Sequence, residues 1–335
     1  MPLFCSFIIT LFFTPIIKEW AERFGIVDNP NKRKIHNNPI PLLGGLGIFL
    51  GFIISLLFLL TIDYKIYVIL GTSIVIMLMG LLDDIKNIRP LWKLVIEVLI
   101  AIILIGFNIK IMVGVFITNI PLLAFILDGL ITLIWIVGVI NAINFIDGLD
   151  SLSVDMVFWS TLGFLFLGFM EGNKVIVYLS LPIIGSILGF FPYNLYPARI
   201  FMGDAGSTFL GFILSVLSIL ACQQLNNPMA ISISILFLGV PIFDMIFVIF
   251  RRIRIGNSIF IGDKNHLHHR LGRIGLGHYL ILFYINSLSV ISLLMGIILY
   301  LTGTYAIGMT VVAILTIFTL YIGGLSREGK NNERQ

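Results

Sequence analysis

Long apolar runs follow one another along almost the whole chain of 335 residues, and they constrain its fold more than any other feature. Each run is long enough, or nearly so, to cross a bilayer core, which takes roughly 20 residues of helix. A transmembrane β-barrel would show short alternating segments instead. The pattern therefore predicts an all-α, polytopic helix bundle embedded in a membrane.

The composition agrees, because 59% of the residues are apolar and only 11% are charged. A soluble domain carries about 25% charged residues, so a soluble enzyme, a disordered scaffold and a nucleic-acid binder are excluded. Cys5 and Cys222 lie in apolar runs and form no metal-binding pattern. The first run lacks a basic n-region and a cleavage site, so we expect a retained span.

Eleven apolar windows predict eleven transmembrane helices, at residues 3–17, 44–62, 66–82, 91–107, 120–140, 154–170, 175–195, 208–222, 229–250, 279–301 and 304–323. An odd number of spans places the two termini on opposite faces of the membrane. We expect one integral membrane catalytic domain over residues 1–323 and a short polar tail over residues 324–335.

The Lys and Arg residues set the orientation, since cytoplasmic loops carry the excess of positive charge. Eighteen of the 21 lie in segments 18–43, 83–93 and 251–278, at Arg199 and in the tail. Only Lys65, Lys110 and Lys174 fall on the other side. This split predicts an external N-terminus and a cytoplasmic C-terminus in the inner (plasma) membrane. The cytoplasmic loops then carry nearly all the Asp, Asn, His and Gly clusters, so an active site built from them is expected to be cytoplasmic.

Two neighbouring carboxylates, Asp83 and Asp84, are predicted at the end of one span, and Lys93 begins the next. Adjacent carboxylates repel each other unless a cation or a proton intervenes. The pair therefore favours a magnesium ion, or phosphates held through one. A solvated helix end among ordinary basic residues explains the pair equally well.

Asn141, Asn144, Asp147 and Asp150 recur at intervals of three between two apolar spans. At helical spacing such residues share one face, and we expect Gly148 to end the regular helix. Their oxygen atoms suit a hard cation and a polar ligand. The alternative is a turn rich in Asn, Asp and Gly that binds nothing.

Gly203 and Gly206 flank Asp204 just before another span. Small residues let backbone N–H groups approach a phosphate at a helix N-terminus, where negative charge is favoured. Asp204 is then a candidate ligand for a metal that bridges phosphates. The alternative is that Asp204 or Ser207 serves as the N-cap of the helix.

A basic segment near the end of the chain contains His266, His268, His269 and Arg270. Histidines can bind zinc, but no cysteine accompanies these and their neighbours are cationic. The segment is better suited to an anionic substrate. The alternative is a basic loop attracted to anionic lipid headgroups.

Three acidic residues are predicted inside spans, where buried charge is costly and often functional. Glu97 lies one turn after Lys93, so an ion pair on one helix face is its simplest explanation. Asp244 lies shortly before the inner basic cluster, close enough in sequence to approach the site, and Asp128 receives no role.

Taken together and in this order, the motifs resemble the polyprenyl-phosphate N-acetylhexosamine-1-phosphate transferases of glycosyltransferase family 4. They run from residue 28 to residue 271, and His-x-His-His-Arg-Leu is similar to the WecA/TagO-like branch. The matching elements are Arg33-Lys34-x-His36 with Pro41-x-x-Gly44-Gly45, Asp83-Asp84 with Lys93, Asn141-x-x-Asn144-x-x-Asp147-Gly148-x-Asp150, Phe201-Met202-Gly203-Asp204-x-Gly206-Ser207 and His266-x-His268-His269-Arg270.

The resemblance implies a Mg²⁺-dependent enzyme, with Mn²⁺ as an alternative ion, that transfers GlcNAc-1-phosphate from UDP-GlcNAc to undecaprenyl (polyprenyl) phosphate in the lipid bilayer. UMP is released, and the product enters a cell-surface glycan such as lipopolysaccharide O-antigen or teichoic acid. The resemblance leaves a homodimer open. The implied site has catalytic Asp83, Asp84, Lys93, Asp147 and His268, metal ligands Asp204 and Asn144, and substrate-binding Lys34, His36, Asn141, Asp150, His266, His269 and Arg270. We expect Asp83, Asn144, Asp204 and His268 to gather at the inner membrane boundary.

Two residues depart from the family's pattern, because Ser151 stands where glycine is frequent and Glu97 where glutamine is usual. Ser151 puts in question the shape of the loop that binds the nucleotide in the family. Glu97 puts in question the role that the glutamine amide has there. The nearest alternative is an MraY-like transferase of phospho-MurNAc-pentapeptide. The alternative from another class is a transporter or flippase for a phosphorylated lipid or a nucleotide sugar.

Overall fold

The computed structural model describes residues 1–28, 39–58, 63–227, 229–256 and 266–303, whose regular secondary structure is helical apart from one short β-ladder. The helices are α1 Pro2–Arg23, α2 Gly44–Leu57, α3 Tyr64–Lys86, α4 Pro90–Gly106, α5 Gly114–Ile117, α6 Pro121–Ile146, α7 Leu152–Met170, α8 Lys174–Asn194, α9 Gly203–Leu225, α10 Met229–Phe237, α11 Gly239–Arg254, α12 Leu267–Arg273 and α13 His278–Thr302. Lys34, His36, the predicted span 304–323 and the tail 324–335 lie outside the described residues.

Seven described helices are long and apolar enough to cross a membrane, and the number is eight if α10 and α11 form one bent span. The seven are α1, α3, α6, α7, α8, α9 and α13. Helix α2 has 14 residues and α4 has 17, so both fall short of a full crossing of a ~30 Å hydrocarbon core. The structure confirms an all-helical protein with multiple spans. Eleven spans and the orientation of the termini stay predictions.

The chain divides into two compact units, Met1–Pro228 and Met229–Gln335, while the prediction of a single domain stays a prediction. Helix α9 is the centre of the first unit, because its most apolar 18 residues are entirely buried among neighbours that include α3 and α6. Phe209 of α9 packs edge-on against Phe49, with ring centroids 5.1 Å apart. Ser215 and Ser218 bond to carbonyls of their own helix, which satisfies their hydroxyl groups in an apolar interior.

Other helices of the first unit present large apolar side chains outward. In α1 and α6 only 22% and 33% of the most apolar window is buried. Phe4 and Phe12 of α1 and Ile134 of α6 are more than half exposed. A contiguous apolar surface of this kind is the expected boundary with lipid hydrocarbon.

A short β-ladder, which the sequence analysis did not predict, precedes α2. Strand β1 Val27–Asp28 pairs antiparallel with β2 Ile40–Pro41. The carbonyl of Pro41 accepts the N–H of Phe201 at 2.8 Å, and Gly45 donates its N–H to the Met202 carbonyl at 2.8 Å. The segment of residues 41–45 is therefore bonded directly to the chain that leads into α9.

The second unit contains a sharp break. Helices α10 and α11, which the sequence analysis predicted as one span over 229–250, meet at a bend of 89°. Pro241 lies in the first turn of α11, where its missing N–H costs no helical hydrogen bond. Helix α13 packs against α10, and Ser292 donates a hydrogen bond to the Leu236 carbonyl.

Buried Asp128 has structural partners at the end of α6 remote from Asn144. Its Oδ1 accepts the N–H groups of Val113 and Gly114 at 2.9 and 2.7 Å, and its Oδ2 lies 3.6 Å from Lys110 Nζ. The carboxylate thus fixes the connection between α4 and α6. This agrees with the absence of a functional role for Asp128 in the sequence analysis.

Candidate active site

Four helix ends bring predicted site residues of the first unit together. Helices α3 and α6 end where α4 and α9 begin, and α9 contacts both α3 and α6. The approach is closest at Gly80 of α3, where a Cβ atom would lie 2.4 Å from Ala205 Cα. Only glycine, which has no Cβ atom, lets the end of α3 pack this closely against the first turn of α9.

Lys93 lies between two of the predicted carboxylates. Its Nζ is 2.7 Å from Asp204 Oδ2 and also forms an ion pair with Asp83 Oδ2. Asp83 is buried, and its Oδ1 accepts the N–H of Ile88 at 2.8 Å beyond the end of α3. The ammonium group therefore holds two carboxylates from different helices next to each other.

Asp84 has a different environment from Asp83. Its Oδ1 accepts the N–H of Asp204 at 2.8 Å, and its Oδ2 accepts the N–H of Ala205 at 3.0 Å. Gly203 adopts φ +72°, and a Cβ there would lie 2.6 Å from Asp84 Oδ2. Both oxygens thus hold backbone N–H groups at the start of α9, which positions Asp204, while the predicted catalytic role of Asp84 stays a prediction.

This contact corrects two expectations about the start of α9. The sequence analysis expected its backbone N–H groups to approach a phosphate, but the anion that two of them bind is the Asp84 carboxylate. Neither Asp204 nor Ser207 is the N-cap, since that position is Met202, which makes no side-chain capping bond. A carboxylate from another helix supplies the negative charge that a helix N-terminus favours.

Asn144 completes the cluster from the last turn of α6. Its Nδ2 donates to Asp204 Oδ1 at 3.0 Å and to Ser207 Oγ at 2.9 Å. The Ser207 hydroxyl in turn donates to the Gly203 carbonyl. The structure thus brings Asp83, Asn144 and Asp204 together, as the sequence analysis expected.

The donor set of this cluster fits a hard divalent cation. Two carboxylates, Asp83 and Asp204, share the Lys93 ammonium group, and a third, Asp84, is bonded to the backbone N–H of Asp204. The cluster therefore has an excess of acidic groups that such a cation can balance. Mg²⁺ is usually held by one or two carboxylates together with substrate phosphates. Within the described ranges no group of three or more His, Cys, Asp or Glu side chains could hold a metal ion by itself. The protein would therefore supply only part of the ligands of such an ion, and substrate phosphates would supply others.

Glu97 does not form the ion pair with Lys93 that the sequence analysis gave as its simplest explanation. It is 2% exposed, and its Oε2 accepts a hydrogen bond from Asn141 Nδ2 at 2.8 Å, while Lys93 pairs with Asp83 and Asp204. A glutamine at this position could accept the same bond through its amide oxygen. The departure at Glu97 therefore preserves the contact with Asn141.

The segment after α6 is bonded to the segment before α9. Helix α6 ends at Ile146, in agreement with the expected break at Gly148. Asp150 Oδ2 accepts the Ala198 N–H at 2.9 Å. Asn194, which the sequence analysis missed, accepts the Ser151 N–H and donates to the Ile200 carbonyl at 3.0 Å. Its two bonds fix both segments, but only the tertiary fold brings them within reach of one amide.

Asp147 lies just after α6 and accepts a hydrogen bond from the Ser153 hydroxyl. Burial raises the pKa of Asp147 to about 7, repulsion from Asp204 and Asp150 acts in the same direction, and the Ser153 bond opposes both. Near neutral pH this carboxyl group can therefore gain or lose a proton. Its predicted catalytic role stays a prediction.

Ser151 adopts φ +62°, a left-handed conformation that favours glycine. We expect Ser151→Gly to raise the free energy of unfolding by about 1 kcal/mol, because the strain at Cβ is removed. Thermal unfolding in detergent measures the change. Ser160→Gly, inside α7, is the matched control and should lower the apparent Tm. A lower Tm for Ser151→Gly would contradict the strain argument.

The histidine segment belongs to the second unit and is described there by itself. His268 is 3% exposed, and among the described residues neither of its ring nitrogens has a hydrogen-bond partner. Its ring lies 4.1 Å from that of His269, centroid to centroid. Burial lowers the pKa of His268 well below its ordinary value of 6.5, and His269, His266 and Arg270 lower it further by repulsion. His268 is therefore neutral near pH 7.

The depressed pKa of His268 predicts a loss of stability in acid. Below pH 6.5 the unfolded chain binds a proton at His268 while the folded chain does not, so stability falls as pH falls, by up to about 1.4 kcal/mol per pH unit. Apparent Tm values between pH 7.5 and 5.5 measure the slope. His268→Gln should reduce it, and an unchanged slope would show that other groups cause the acid sensitivity.

The apolar helices and the cluster together define the class of protein: a multi-pass membrane protein with acidic and amide side chains gathered at the ends of its helices. The sequence model of glycosyl transferase family 4 matches residues 66–222. The chain belongs to this family, the polyprenyl-phosphate N-acetylhexosamine-1-phosphate transferases, as its motifs predict.

Relatives from several bacteria cover most of the chain. A Bacillus subtilis protein named as a probable undecaprenyl-phosphate N-acetylglucosaminyl 1-phosphate transferase is 36% identical over 98% of this chain and 92% of its own length. The undecaprenyl-phosphate alpha-N-acetylglucosaminyl 1-phosphate transferase of Haemophilus influenzae is 31% identical, over 96% and 92%. The decaprenyl-phosphate N-acetylglucosaminephosphotransferase of Mycobacterium tuberculosis is 32% identical, over 81% and 75%.

Proposed function

We propose that this protein transfers GlcNAc-1-phosphate from UDP-GlcNAc to undecaprenyl phosphate, or to a closely related polyprenyl phosphate, and releases UMP. The observation that carries the proposal is the similarity, over 98% of the chain, to a relative named for the undecaprenyl-phosphate reaction. The cluster of Asp83, Lys93, Asn144 and Asp204 supports it, because phosphoryl transfer depends on positioning and charge stabilisation.

The donor is a diphosphate whose negative charge must be neutralised during transfer. Mg²⁺, or Mn²⁺ in its place, held by Asp204 and Asn144, would supply that neutralisation. Lys93 keeps the Asp83 and Asp204 carboxylates together and presents an ammonium group to phosphate oxygens. Asp84 holds the first turn of α9, and with it Asp204, in place.

The acceptor needs little activation. A phosphate monoester has a second pKa near ~6, so the lipid phosphate is mostly a dianion at pH 7. One of its oxygens attacks the phosphorus attached to the sugar, a new P–O bond forms, and the P–O bond to UMP breaks. Asp83 and Lys93 orient the lipid phosphate for this in-line attack. A stable aspartyl-phosphate trapped with donor but without lipid would contradict the direct route.

We propose a role for the histidine segment from the family resemblance of its motif, not from its position relative to the cluster. His266, His268, His269 and Arg270 would contact the sugar phosphate, and Asp150 would face the uracil. The two unpartnered ring nitrogens of the buried, neutral His268 support a polar contact with substrate. Lys34 and His36 remain predicted substrate contacts on sequence grounds alone.

One assay tests the proposed function. Purified full-length protein is supplied with Mg²⁺, a polyprenyl phosphate and a panel of UDP-sugars, and UMP is measured. We expect release only with UDP-GlcNAc and lipid together, and loss of release when the metal is chelated. A preference for UDP-MurNAc-pentapeptide would favour the MraY-like alternative. Substrate movement across vesicles without UMP would favour the transporter.

We further propose that the cluster faces the cytoplasm of a protein with eleven spans in the plasma membrane. Lys86 and Arg89 lie at the same end of α3 as Asp83, whereas Lys174 begins α8. A membrane-impermeant maleimide should label Lys174→Cys in intact cells but Arg89→Cys only after permeabilisation. The reverse pattern would invert the orientation. A homodimer stays a prediction.

A further inference from the structure

A buried carboxylate in the second unit has no part in the mechanism above. Asp244 lies in the middle of α11 and is 1% exposed. A buried charge in an apolar helix is costly unless it is paired and hydrogen-bonded, and such residues usually mark function. The sequence analysis noted only that Asp244 could approach the site, which stays a prediction, whereas its contacts with the histidine segment are seen only in the structure.

Asp244 binds three donors from one short segment. Its Oδ2 lies 2.8 Å from His266 Nδ1, and its Oδ1 accepts the Leu267 N–H at 2.7 Å and an Arg270 guanidinium N–H at 3.3 Å. The face of Phe247 lies 3.8 Å from the centre of the same guanidinium, so the cation is held from two sides. One side chain of α11 thus fixes the start of α12 and two residues of the histidine motif.

The charges of this cluster determine the tautomer of His266. The Asp244 carboxylate and the Arg270 guanidinium balance each other, so a neutral imidazole leaves the buried cluster uncharged. An ionised carboxylate can only accept hydrogen bonds, so the proton shared with His266 belongs to Nδ1. In a neutral ring Nε2 then carries the lone pair.

We infer that Asp244 is a positioning residue, which holds the proton of His266 on Nδ1 and leaves the lone pair of the neutral ring on Nε2. Within the proposed function, this fixes the orientation and the tautomer of His266 in the histidine segment. The same carboxylate orients Arg270. The catalytic consequence rests on the proposed function, because it takes the histidine segment to contact the sugar phosphate. The tautomer itself does not depend on that function.

Nitrogen NMR of the full-length protein, labelled with ¹⁵N-histidine, tests the tautomer at pH 8. His266→Gln assigns the signal. We expect the Nδ1–H form in the wild type and the Nε2–H form in Asp244→Leu. Ser292→Ala is the control, since it removes a buried hydrogen bond of the same unit and should leave the Nδ1–H form unchanged. A wild-type Nε2–H signal would overturn the inference.

Kinetics then separate positioning from general damage. Asp244→Asn and His266→Gln should each lower kcat/KM for UDP-GlcNAc by roughly 10–100-fold, as is usual for groups that orient a functional side chain. The double variant should lose clearly less than the product of the two single losses, because part of the effect of Asp244 passes through His266 and the rest through Arg270. Fully additive losses would overturn the inference. An Nδ1–H signal without UMP release by the wild type would support the inference and count against the proposed function alone.

Discussion

Replacing Asp204 by asparagine is expected to lower kcat for UMP release by about 10³-fold, equivalent to ~4 kcal/mol of transition-state stabilisation. The asparagine side chain keeps the size and one oxygen of aspartate but loses its charge. In the native protein Asp204 Oδ2 lies 2.7 Å from Lys93 Nζ, and Asp204 Oδ1 accepts a hydrogen bond from Asn144 Nδ2 at 3.0 Å. The substitution therefore weakens the proposed metal site and the position of Lys93 together.

The assay measures UMP at saturating UDP-GlcNAc and lipid phosphate over a range of Mg²⁺ concentrations. The half-maximal Mg²⁺ concentration should rise in Asp204→Asn if any activity remains. Asp63→Asn is the matched control, because Asp63 is an exposed acid at the far end of α3 that, among the described residues, accepts only the local N–H of Lys65. Activity of Asp204→Asn within threefold of the wild type would remove Asp204 from the catalytic cluster.

Hydropathy located the helices well but misplaced their ends near the site. The window 154–170 agrees closely with α7, Leu152–Met170, whereas the windows 66–82 and 120–140 stop before α3 and α6 do. The extra turns contain Asp83, Asp84, Asn141 and Asn144. An apolar window ends at the first polar residues, but backbone hydrogen bonding continues through them. The apolar windows alone therefore understated the length of α3 and α6, whereas the spacing of Asn141 and Asn144 correctly predicted helix.

The motifs predicted which residues of the first unit meet, but not what each one touches. Spacing identifies residues on one face of a single helix. It cannot show that Asp84 binds the start of α9, or that Asn194 joins two segments that lie far apart in sequence. Both contacts depend on how closely α3 and α8 approach their neighbours, which is a property of packing. Partner assignment, and with it the role of Asp84, required the structure.

The approach of α3 to α9 gives the second large expected effect. Gly80→Ala should destabilise the protein by about 1–3 kcal/mol, because the new Cβ would lie 2.4 Å from Ala205 Cα and 2.8 Å from the Asp204 carbonyl oxygen. Backbone cannot yield as a flexible side chain does, so α3 must move away from α9. Displacement of Asp83 from Asp204 by about 1 Å should cost roughly 10²-fold in kcat.

Gly71→Ala makes the same chemical change on the same helix and is the matched control. A Cβ there meets no atom of the described residues within 4 Å, so alanine should stabilise α3 by about 0.5–1 kcal/mol and leave UMP release unchanged. If the apparent Tm falls for Gly80→Ala and rises for Gly71→Ala, the destabilisation is caused by the contact between α3 and α9 and not by a change in helix propensity. If Gly80→Ala kept wild-type activity and Tm, the close crossing of α3 and α9 could not be what sets the distance between the Asp83 and Asp204 carboxylates.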